Sequence, residues 1–496
     1  MFSGWLTTVV FLPLVGALLI ALFIRRDRDV RNFAATVSVV EFVLTIIVFS
    51  LYDKSQPGVQ LIDKFENWIP VASFRVEYFL GVDGLSAPLV LLTGLLGMCA
   101  VFASWNIKLR VKEYFVWLLV LQTAVTGVFA SLDFILFFIF WELELIPMYL
   151  LISIWGSGRK EYSAMKFLIF TVSGSAFMLV GILVLFFSTG TFNIVELPQA
   201  IDKARLLLPA GAIFALLFIA FAIKLPVWPV HTWLPDAHTD APTAVSIMLA
   251  GVLLKMGSYG MIRMSVTMFP RLTTEFSWLL AALAVVNVLY GAAITLRQSD
   301  LKRLIAYSSI SHMGYVLLGI SSVGAGVGAI SPVGLTGASL QMFTHGTITG
   351  LLFLLVGLVY DKTHTRYIPD LGGLAARMPI IASVFVLAGL ASLGLPSLSG
   401  FVSELMVFLG TFPVWGWATA LAAFGIVITA GYILWMLQRT FLGPSRERFA
   451  HVGDASLIEA LPAAALVISI VVIGIYPAFL TDVFGAGVNA ILSSRF

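Results

Sequence analysis

The chain has 496 residues, of which 60% are hydrophobic and 11% are charged. Soluble domains carry about a quarter charged residues, so this composition excludes an ordinary soluble globular protein. The net charge of +3 is small and its basic residues are scattered through short loops, so we expect no nucleic-acid partner. The single cysteine, Cys99, excludes a disulfide framework, a cysteine-based zinc site and iron–sulfur ligation by this chain.

Long apolar runs follow one another along the whole chain. A helix needs about 20 apolar residues to cross a bilayer, and only helices satisfy their own backbone hydrogen bonds in lipid. The sequence therefore predicts an all-α polytopic membrane protein with about fourteen spanning helices. The first run is interpreted as a retained helix, because MFSGWLTT lacks the basic start of a signal peptide. The predicted segments are 4–24, 31–52, 77–105, 113–131, 133–155, 164–188, 208–230, 242–264, 275–296, 303–322, 337–360, 379–410, 415–437 and 456–482.

The loops between these segments differ in their content of Lys and Arg. The loops after the odd-numbered segments, counted with Arg31, Lys166 and Arg303 at the starts of the segments that follow, hold 19 of the 29 basic residues. Because basic residues collect in cytoplasmic loops, this pattern predicts that both termini face the non-cytoplasmic side. Two lysines, Lys224 and Lys255, fall inside apolar segments, where a charge costs a few kcal/mol.

Two carboxylates lie in the apolar fifth segment, FFIFWELELIPMYLL. Glu142 and Glu144 are two residues apart and point to different faces of a helix, so only one of them can easily meet Lys224. A buried carboxylate paired with a lysine can stay charged, and separating the two changes how tightly each holds a proton. The alternative is a static ion pair that orders the bundle. Asp133, at the start of this segment, is expected to cap the helix.

Prolines interrupt the seventh segment in FIAFAIKLPVWPV. Pro226 and Pro229 remove backbone donors, which predicts a broken helix directly after Lys224. Lys255 lies in MLAGVLLKMGSYG on the eighth segment, eight or more residues from either end of that segment. The alternative for both lysines is snorkelling, in which the long side chain reaches the membrane interface.

Histidines supply groups that titrate near neutral pH. His231 and His238 belong to VHTWLPDAHTDAP, where a proton could enter or the rings could be solvated. His312 and His345 lie on helices 10 and 11 among Ser, Thr and Gly residues that could hold water. The alternative for each is a hydrogen-bonded core position, and haem ligation by the last two has no other support in the sequence.

The chain also contains signs of an internal repeat. Helix 12 carries a second interruption, GLPSLSG, and aligning Pro226 with Pro396 gives an offset of 170 residues. Five helices separate the two breaks, and an odd number of spans inverts the second copy relative to the first. The same offset places Glu142 opposite His312. Glu404 follows the second break, inside SLSGFVSELMVFLG.

Four strings on helices 5, 7 to 8, 10 and 12 are distinctive. They are FWELELIPMYLLISIWG, KLPVWPVHTWLPDAHTDAPTAVSIMLAGVLLKMGSYGMIR, SSISHMGYVLLG and LPSLSGFVSELMVF. Through them the chain resembles the antiporter-like subunits of respiratory complex I over helices 4 to 13, and most closely the M-type subunits of NADH-quinone oxidoreductase. The resemblance implies fourteen helices with two inverted five-helix repeats. The implied units are three N-terminal helices in 1–112, the repeats in 113–264 and 265–440, and a C-terminal loop and helix in 441–496.

The resemblance also implies roles for individual residues. Glu142, the glutamate of the WE pair, matches the family's helix 5 carboxylate, and Lys224 matches its ion-pair partner. Lys255 matches the central relay on helix 8, and Glu404 matches the exit-side carrier on helix 12. Histidines of the family's central polar axis are matched by His238, His312 and His345. Ancillary positions are Glu144, His231 and Asp133.

Glu404 is informative about the type of subunit. In the subunits resembling chains L and N, and in the related multisubunit sodium/proton antiporters, the helix 12 position is a lysine, so a glutamate indicates the M type. The ELELIP string, with its extra Glu144, resembles chains of photosynthetic or bacterial enzymes that take electrons from ferredoxin. The electron donor, NADH or ferredoxin, therefore stays open.

The resemblance implies proton translocation coupled to quinone reduction elsewhere in a complex, with no bond chemistry in this chain. A signal from a neighbouring subunit would change the Glu142–Lys224 separation, and the proton would then pass along Lys255 and the histidines to Glu404, bridged by water. FMN, iron–sulfur clusters and quinone are expected in partner subunits, next to L-like and N-like neighbours. The expected location is a bacterial inner membrane or an equivalent energy-converting membrane. The alternatives are a subunit of a multisubunit Na+/H+ antiporter and a membrane subunit of a hydrogenase-type complex.

Overall fold

Most of the chain is helical in the computed structural model, which describes residues 2–56, 58–71, 74–323, 331–444 and 446–496. In these residues, eleven helices are long and apolar enough to cross a membrane, and four shorter apolar helices accompany them. The prediction of a mainly helical, multi-pass membrane protein is confirmed.

The helices are numbered in chain order. Helices α1 to α6 are Trp5–Phe23, Asp27–Leu51, Ala87–Ala103, Val111–Ala130, Phe134–Trp155 and Lys160–Thr189. Helix α7 has two parts, α7a (Ala210–Lys224) and α7b (Trp233–Asp240). Helices α8 to α11 are Thr243–Val266, Ser277–Thr295, Leu301–Val323 and Pro332–Thr363. Helix α12 consists of α12a (Pro379–Ser392) and α12b (Ser399–Thr411), and α13 to α15 are Gly416–Phe441, Leu457–Ile475 and Ala478–Arg495.

Both predicted helix breaks are present. Residues 225–232 separate α7a from α7b and contain Pro226 and Pro229. Residues 393–398 separate α12a from α12b and contain Pro396. Since proline has no N–H to donate and its ring clashes with the preceding turn, the helical hydrogen bonds do not continue through these positions.

A β-hairpin precedes α3, and the sequence analysis did not predict it. Strand β1 (Gln60–Val71) pairs antiparallel with strand β2 (Phe74–Val82). The apolar run that was predicted as helix from residue 77 is therefore a strand at first, and α3 begins only at Ala87. Apolar content alone does not distinguish a short buried strand from a helix, which explains the error.

The last predicted segment, 456–482, is also divided. Helix α14 ends at Ile475, and α15 begins after Pro477. Helix α15 then lies along one end of the bundle, where Asp482 pairs with Lys54 at 2.6 Å. The single final helix of the prediction is thus two helices in different orientations.

Contacts between the connecting segments divide them into two groups, one at each end of the bundle. The Trp155 indole donates to the Leu109 carbonyl at 2.6 Å, which joins the segments after α3 and α5. Arg495 Nε donates to the Thr267 carbonyl at 2.8 Å, which joins the C-terminus to the segment after α8. Segments after odd-numbered helices up to α13 form the first face; segments after even-numbered helices, with both termini, form the second face. Successive helices therefore cross the bundle in opposite directions.

Three helices form the centre of the bundle. Helices α8 and α11 are completely buried over their most apolar stretches, and α10 is 94% buried. Their polar side chains therefore face other helices and not lipid. An ionisable group in such a place is expected to have a partner or a function.

Two helices are irregular where they carry charged residues. Helix α5 is interrupted by a turn at Glu144, because Pro147 has no N–H for the carbonyl four residues before it. Helix α8 contains two π-helical turns, Leu249–Leu253 and Met261–Val266, on either side of Lys255. Such local widenings are frequent at functional sites.

Candidate functional site

Lys224 and Glu144 form an ion pair inside the bundle. Lys224 ends α7a and Glu144 occupies the turn in α5, and their side chains are 1% and 0% exposed. The ammonium Nζ contacts the carboxylate Oε1 directly. The rings of Trp141 and Phe167 lie 5.4 and 5.6 Å from Nζ and add cation–π attraction. Each charge thus compensates the other in a place where either one alone would be very costly.

The prediction that Glu142 is the direct partner of Lys224 is wrong. Glu144 takes that position, while Glu142 is only partly buried and is directed toward Ser175 on α6. Within the described residues, Glu142 Oε1 has no hydrogen-bond partner. The reason is the turn caused by Pro147, which lets the second carboxylate face α7a.

Lys255 lies in the middle of α8 and is completely buried. Its Nζ is 2.7 Å from Nδ1 of His345 on α11 and also donates to the Ala250 carbonyl in the preceding π-helical turn. Two glycines allow this contact, because a Cβ on Gly346 would lie 2.7 Å from the Gly251 carbonyl. The burial of both membrane lysines is inconsistent with snorkelling.

Gly257 connects the two lysine-bearing helices. A Cβ at this position would lie 2.6 Å from the Leu225 nitrogen and 2.8 Å from the Phe221 carbonyl. Helix α8 therefore packs directly on the end of α7a, which carries Lys224. Lys255 lies two residues before this contact.

His312 joins His345 to a second acidic group. The two imidazole centroids are 5.7 Å apart, and His312 Nδ1 lies 3.3 Å from Glu404 Oε1. His312 Nε2 is 3.2 Å from the Ser392 hydroxyl. A cavity of about 10 Å³, enough for about one water molecule, lies between these groups. Its lining residues are His312, Gln341, His345, Ile348, Thr349, Ala391, Ser392, Gly400 and Glu404.

Glu404 is held at the break of α12. A Cβ on Gly394 would lie 2.8 Å from Glu404 Oε2, and Gly394 has a φ of +79°, which other residues rarely adopt. The carboxylate thus lies against the broken helix, as Lys224 lies at the break of α7. Lys255, His345, His312 and Glu404 form one continuous series of neighbours across the bundle.

The other predicted residues lie beside this series. His238 is completely buried and stacks on Phe353 at 4.6 Å, and within the described parts of the chain its two nitrogens have no partner. His231 contacts the Tyr290 hydroxyl at 3.2 Å. Asp133 accepts from two backbone N–H groups of α5 at 2.9 and 3.1 Å, so its interpretation as a helix cap is confirmed.

The sequence analysis missed a buried carboxyl group on α2. Glu41 is completely buried and contacts the Gln122 amide and, at 3.4 Å, the Thr126 hydroxyl of α4. Gly97 on α3 leaves room for this amide, because a Cβ there would overlap it. The signal was available, since Glu41 is a charged residue type within an apolar run, the criterion that singled out the lysines.

A polytopic helical bundle with paired ionisable groups in its interior is typical of membrane proteins that move ions or protons. The chain belongs to the NADH:quinone oxidoreductase/Mrp antiporter transmembrane family, whose profile matches residues 131–429. The sequence-based family assignment is thereby confirmed.

Individual relatives agree with this family. The chain is 43% identical over 495 residues to NAD(P)H-quinone oxidoreductase chain 4 of Gloeobacter violaceus, covering 97% of this chain and 91% of that protein. It is 41% identical over 503 residues to NADH-quinone oxidoreductase subunit M of Rhodobacter capsulatus, covering 97% and 95%. Its fold is similar to a chain of respiratory complex I from Thermus thermophilus with bound NADH, with a TM-score of 0.86, 29% identity and coverage of 98% and 99%.

Proposed function

We propose that this chain is the M-type, proton-translocating membrane subunit of a complex I-type NAD(P)H- or ferredoxin:quinone oxidoreductase. Its similarity to a chain 4 and a subunit M of such oxidoreductases supports this function. The observation that carries the proposal is the buried series from Lys255 through His345 and His312 to Glu404. Each neighbour in the series has a group that can bind and release a proton.

The first step takes place at the α7 break. Lys224 holds its proton while Glu144 is in contact, and it holds the proton less tightly when the carboxylate withdraws. We assign the direct counter-ion role to Glu144, and Glu142 is a second acid that can meet the lysine after a change in α5. A conformational or electrostatic change in a neighbouring subunit would drive this separation.

The second step follows the central helices. The proton reaches Lys255, passes to His345 at 2.7 Å, and continues through His312 to Glu404, which releases it. The small cavity beside the two histidines can hold the bridging water that a 5.7 Å ring separation requires. Among the described residues, no direct hydrogen bond connects Lys224 with Lys255, so water must bridge that gap as well. His238, which is buried and has no partner among these residues, is positioned to bind this water.

The remaining parts of the enzyme belong to other subunits in this proposal. NADH or ferredoxin, FMN, iron–sulfur clusters and quinone are bound there, and L-like and N-like chains are the neighbours. The repeats span 113–264 and 265–440, between the N-terminal unit 1–112 and the C-terminal unit 441–496. The membrane is a bacterial inner membrane or an equivalent energy-converting membrane, with the second face, which holds both termini, on the non-cytoplasmic side.

Pumping measurements in inverted membrane vesicles test this function. In Lys255→Ala and Glu404→Gln we expect donor-driven acidification to fall by at least about tenfold, because a series with one carrier missing cannot relay protons. Lys108→Ala and Glu275→Gln, which change exposed residues, are the matched controls. Native pumping in both buried variants, with normal assembly of the complex, would disprove the proposal.

A sodium/proton antiporter subunit is the second candidate, because the family also includes Mrp antiporters. It predicts sodium-dependent proton exchange without any electron donor. Glu404 favours the oxidoreductase, since the resemblance implies a lysine at this helix 12 position in the multisubunit antiporters. Sodium-driven exchange in vesicles that contain the chain but lack quinone reductase activity would support this second candidate.

A further inference from the structure

A buried ion pair closes the second-face end of α8. Arg263 Nη2 lies 2.6 Å from Asp83 Oδ2, and Arg263 Nε donates to the Tyr259 hydroxyl at 3.3 Å. The guanidinium also lies 5.3 Å from the centroid of the Tyr259 ring. All three side chains are largely buried, so the guanidinium is held in one position between the carboxylate, the Tyr259 ring and the cavity described below.

The segment that carries Asp83 is held rigidly. Asp83 Oδ1 accepts from the backbone N–H groups of Leu85 and Ser86, both at 3.0 Å. The next residue, Gly84, touches the backbone of α15, and a Cβ there would lie 2.5 Å from the Gly487 nitrogen. The acidic partner of Arg263 is therefore fixed by its own turn and by α15.

Solvent reaches this pair from the second face. A cavity of about 380 Å³ is lined by Tyr52, Asp83 and Arg263, and by the exposed residues Gln199 and Ser493 among others. A polar cavity of this size holds many water molecules. Arg263 is therefore the residue of α8 at which the cavity of the second face meets the packed centre of the bundle.

On its inner side, the pair lies close to the proposed proton series. Lys255 is eight residues before Arg263, about 12 Å along the helix axis. Ser258 and Tyr259 lie between them, and Ser258 Oγ is buried with no partner in the described part of the chain. A single bridging water would shorten this path further. Without a barrier, a proton at Lys255 would have a short route to the second face.

We propose that Arg263 is an electrostatic seal, which Asp83 and Tyr259 hold in place and which prevents protons at Lys255 from leaving directly through the second face. A fixed arginine beside a proton route repels protons and other cations. Protons at Lys255 are thereby kept for His345 and Glu404. The proposal rests on the proposed function, because it takes Lys255 as a proton carrier.

The passive proton permeability of the intact complex tests the seal. A pH gradient is imposed on inverted vesicles without an electron donor, and its decay is followed with a trapped pH-sensitive dye. In Arg263→Gln we expect the decay to be about tenfold faster, because the repelling charge is gone. Arg263→Lys keeps the charge and should decay at the native rate. Arg263→Gln combined with Lys255→Ala should also return to the native rate, since the inner carrier is missing.

A second variant protects the test against misfolding. Arg263→Gln leaves Asp83 as an unpaired buried acid, whereas Arg263→Gln with Asp83→Asn removes both charges together and should leak as well. Native decay in either assembled variant would overturn the seal, as would equal leakage in Arg263→Lys. The proposed function fails separately, if Lys255→Ala pumps at the native rate.

Discussion

The breaks of α7 and α12 both hold ionisable groups, but in different ways. At the first break, a lysine and a glutamate form a closed ion pair among aromatic rings. At the second break, Glu404 faces a histidine across 3.3 Å beside a cavity with room for about one water molecule. The first site must open before another proton acceptor can reach the ammonium group, whereas the second site already adjoins a cavity that can hold a water molecule. We infer that the first break is the controlled step and the second is the relay.

The largest effect is expected from removing the cation at the first break. Lys224→Ala leaves Glu144 buried without a counter-ion and should destabilise the protein by about 3–5 kcal/mol. His312→Ala, at the second break, should cost about 1–3 kcal/mol. It removes a hydrogen-bond partner of Glu404 and Ser392 but no permanent charge. Thermal unfolding of the purified complex measures both.

A double variant distinguishes the cost of an unpaired buried charge from the cost of the cavity that a truncated side chain leaves. Lys224→Ala with Glu144→Ala removes both charges and should recover most of the stability. Pumping should be lost in this double variant, because the lysine that carries the proton is missing. Equal destabilisation by Lys224→Ala and His312→Ala would show that the two breaks do not differ as described.

A smaller effect should separate the two acids of α5. Glu144→Gln removes the charged direct partner of Lys224 and should lower donor-driven pumping about tenfold, because the lysine loses the counter-ion whose withdrawal drives the first step. Glu142→Gln, its matched control two residues away, should lower pumping less, because no direct contact with the lysine is lost. Pumping rates in inverted vesicles decide the order, and the reverse order would return the counter-ion role to Glu142.

The smallest effect is expected at the second break. Ser392→Ala removes the 3.2 Å contact with His312 Nε2 and should cost about 0.5–1.5 kcal/mol, with a modest loss of pumping. Ser399→Ala is the matched control, because in the described chain the Ser399 hydroxyl is buried without a partner. If the two serine variants pump equally, Ser392 does not orient the histidine.

Much of this organisation follows from the sequence alone. Apolar runs predicted the spanning helices, and the prolines at 226, 229 and 396 predicted the two breaks, because both depend on local composition. Charges inside apolar runs identified Lys224 and Lys255, whose burial is confirmed. Strand β2 was missed, since residues 76–82 are all buried and show no alternation of the kind that marks a strand.

Contacts between distant helices could not be predicted from residue spacing. An ideal helix places Glu142 and Glu144 on different faces but does not say which faces α7a, and the turn caused by Pro147 decides it. The 2.7 Å contact of Lys255 with His345, 90 residues away along the chain, depends on Gly251 and Gly346 packing together. Such pairings arise from tertiary packing, which no local pattern encodes.

The glycine at position 257 has a mechanical consequence. At Gly257 the backbone of α8 lies directly against the backbone at the end of α7a. Any tilt of α7a that pulls Lys224 from its acid must displace α8 and alter the spacing of Lys255 from His345. Opening of the Lys224–Glu144 pair is thus coupled to the Lys255–His345 contact through the packing of α8 on α7a.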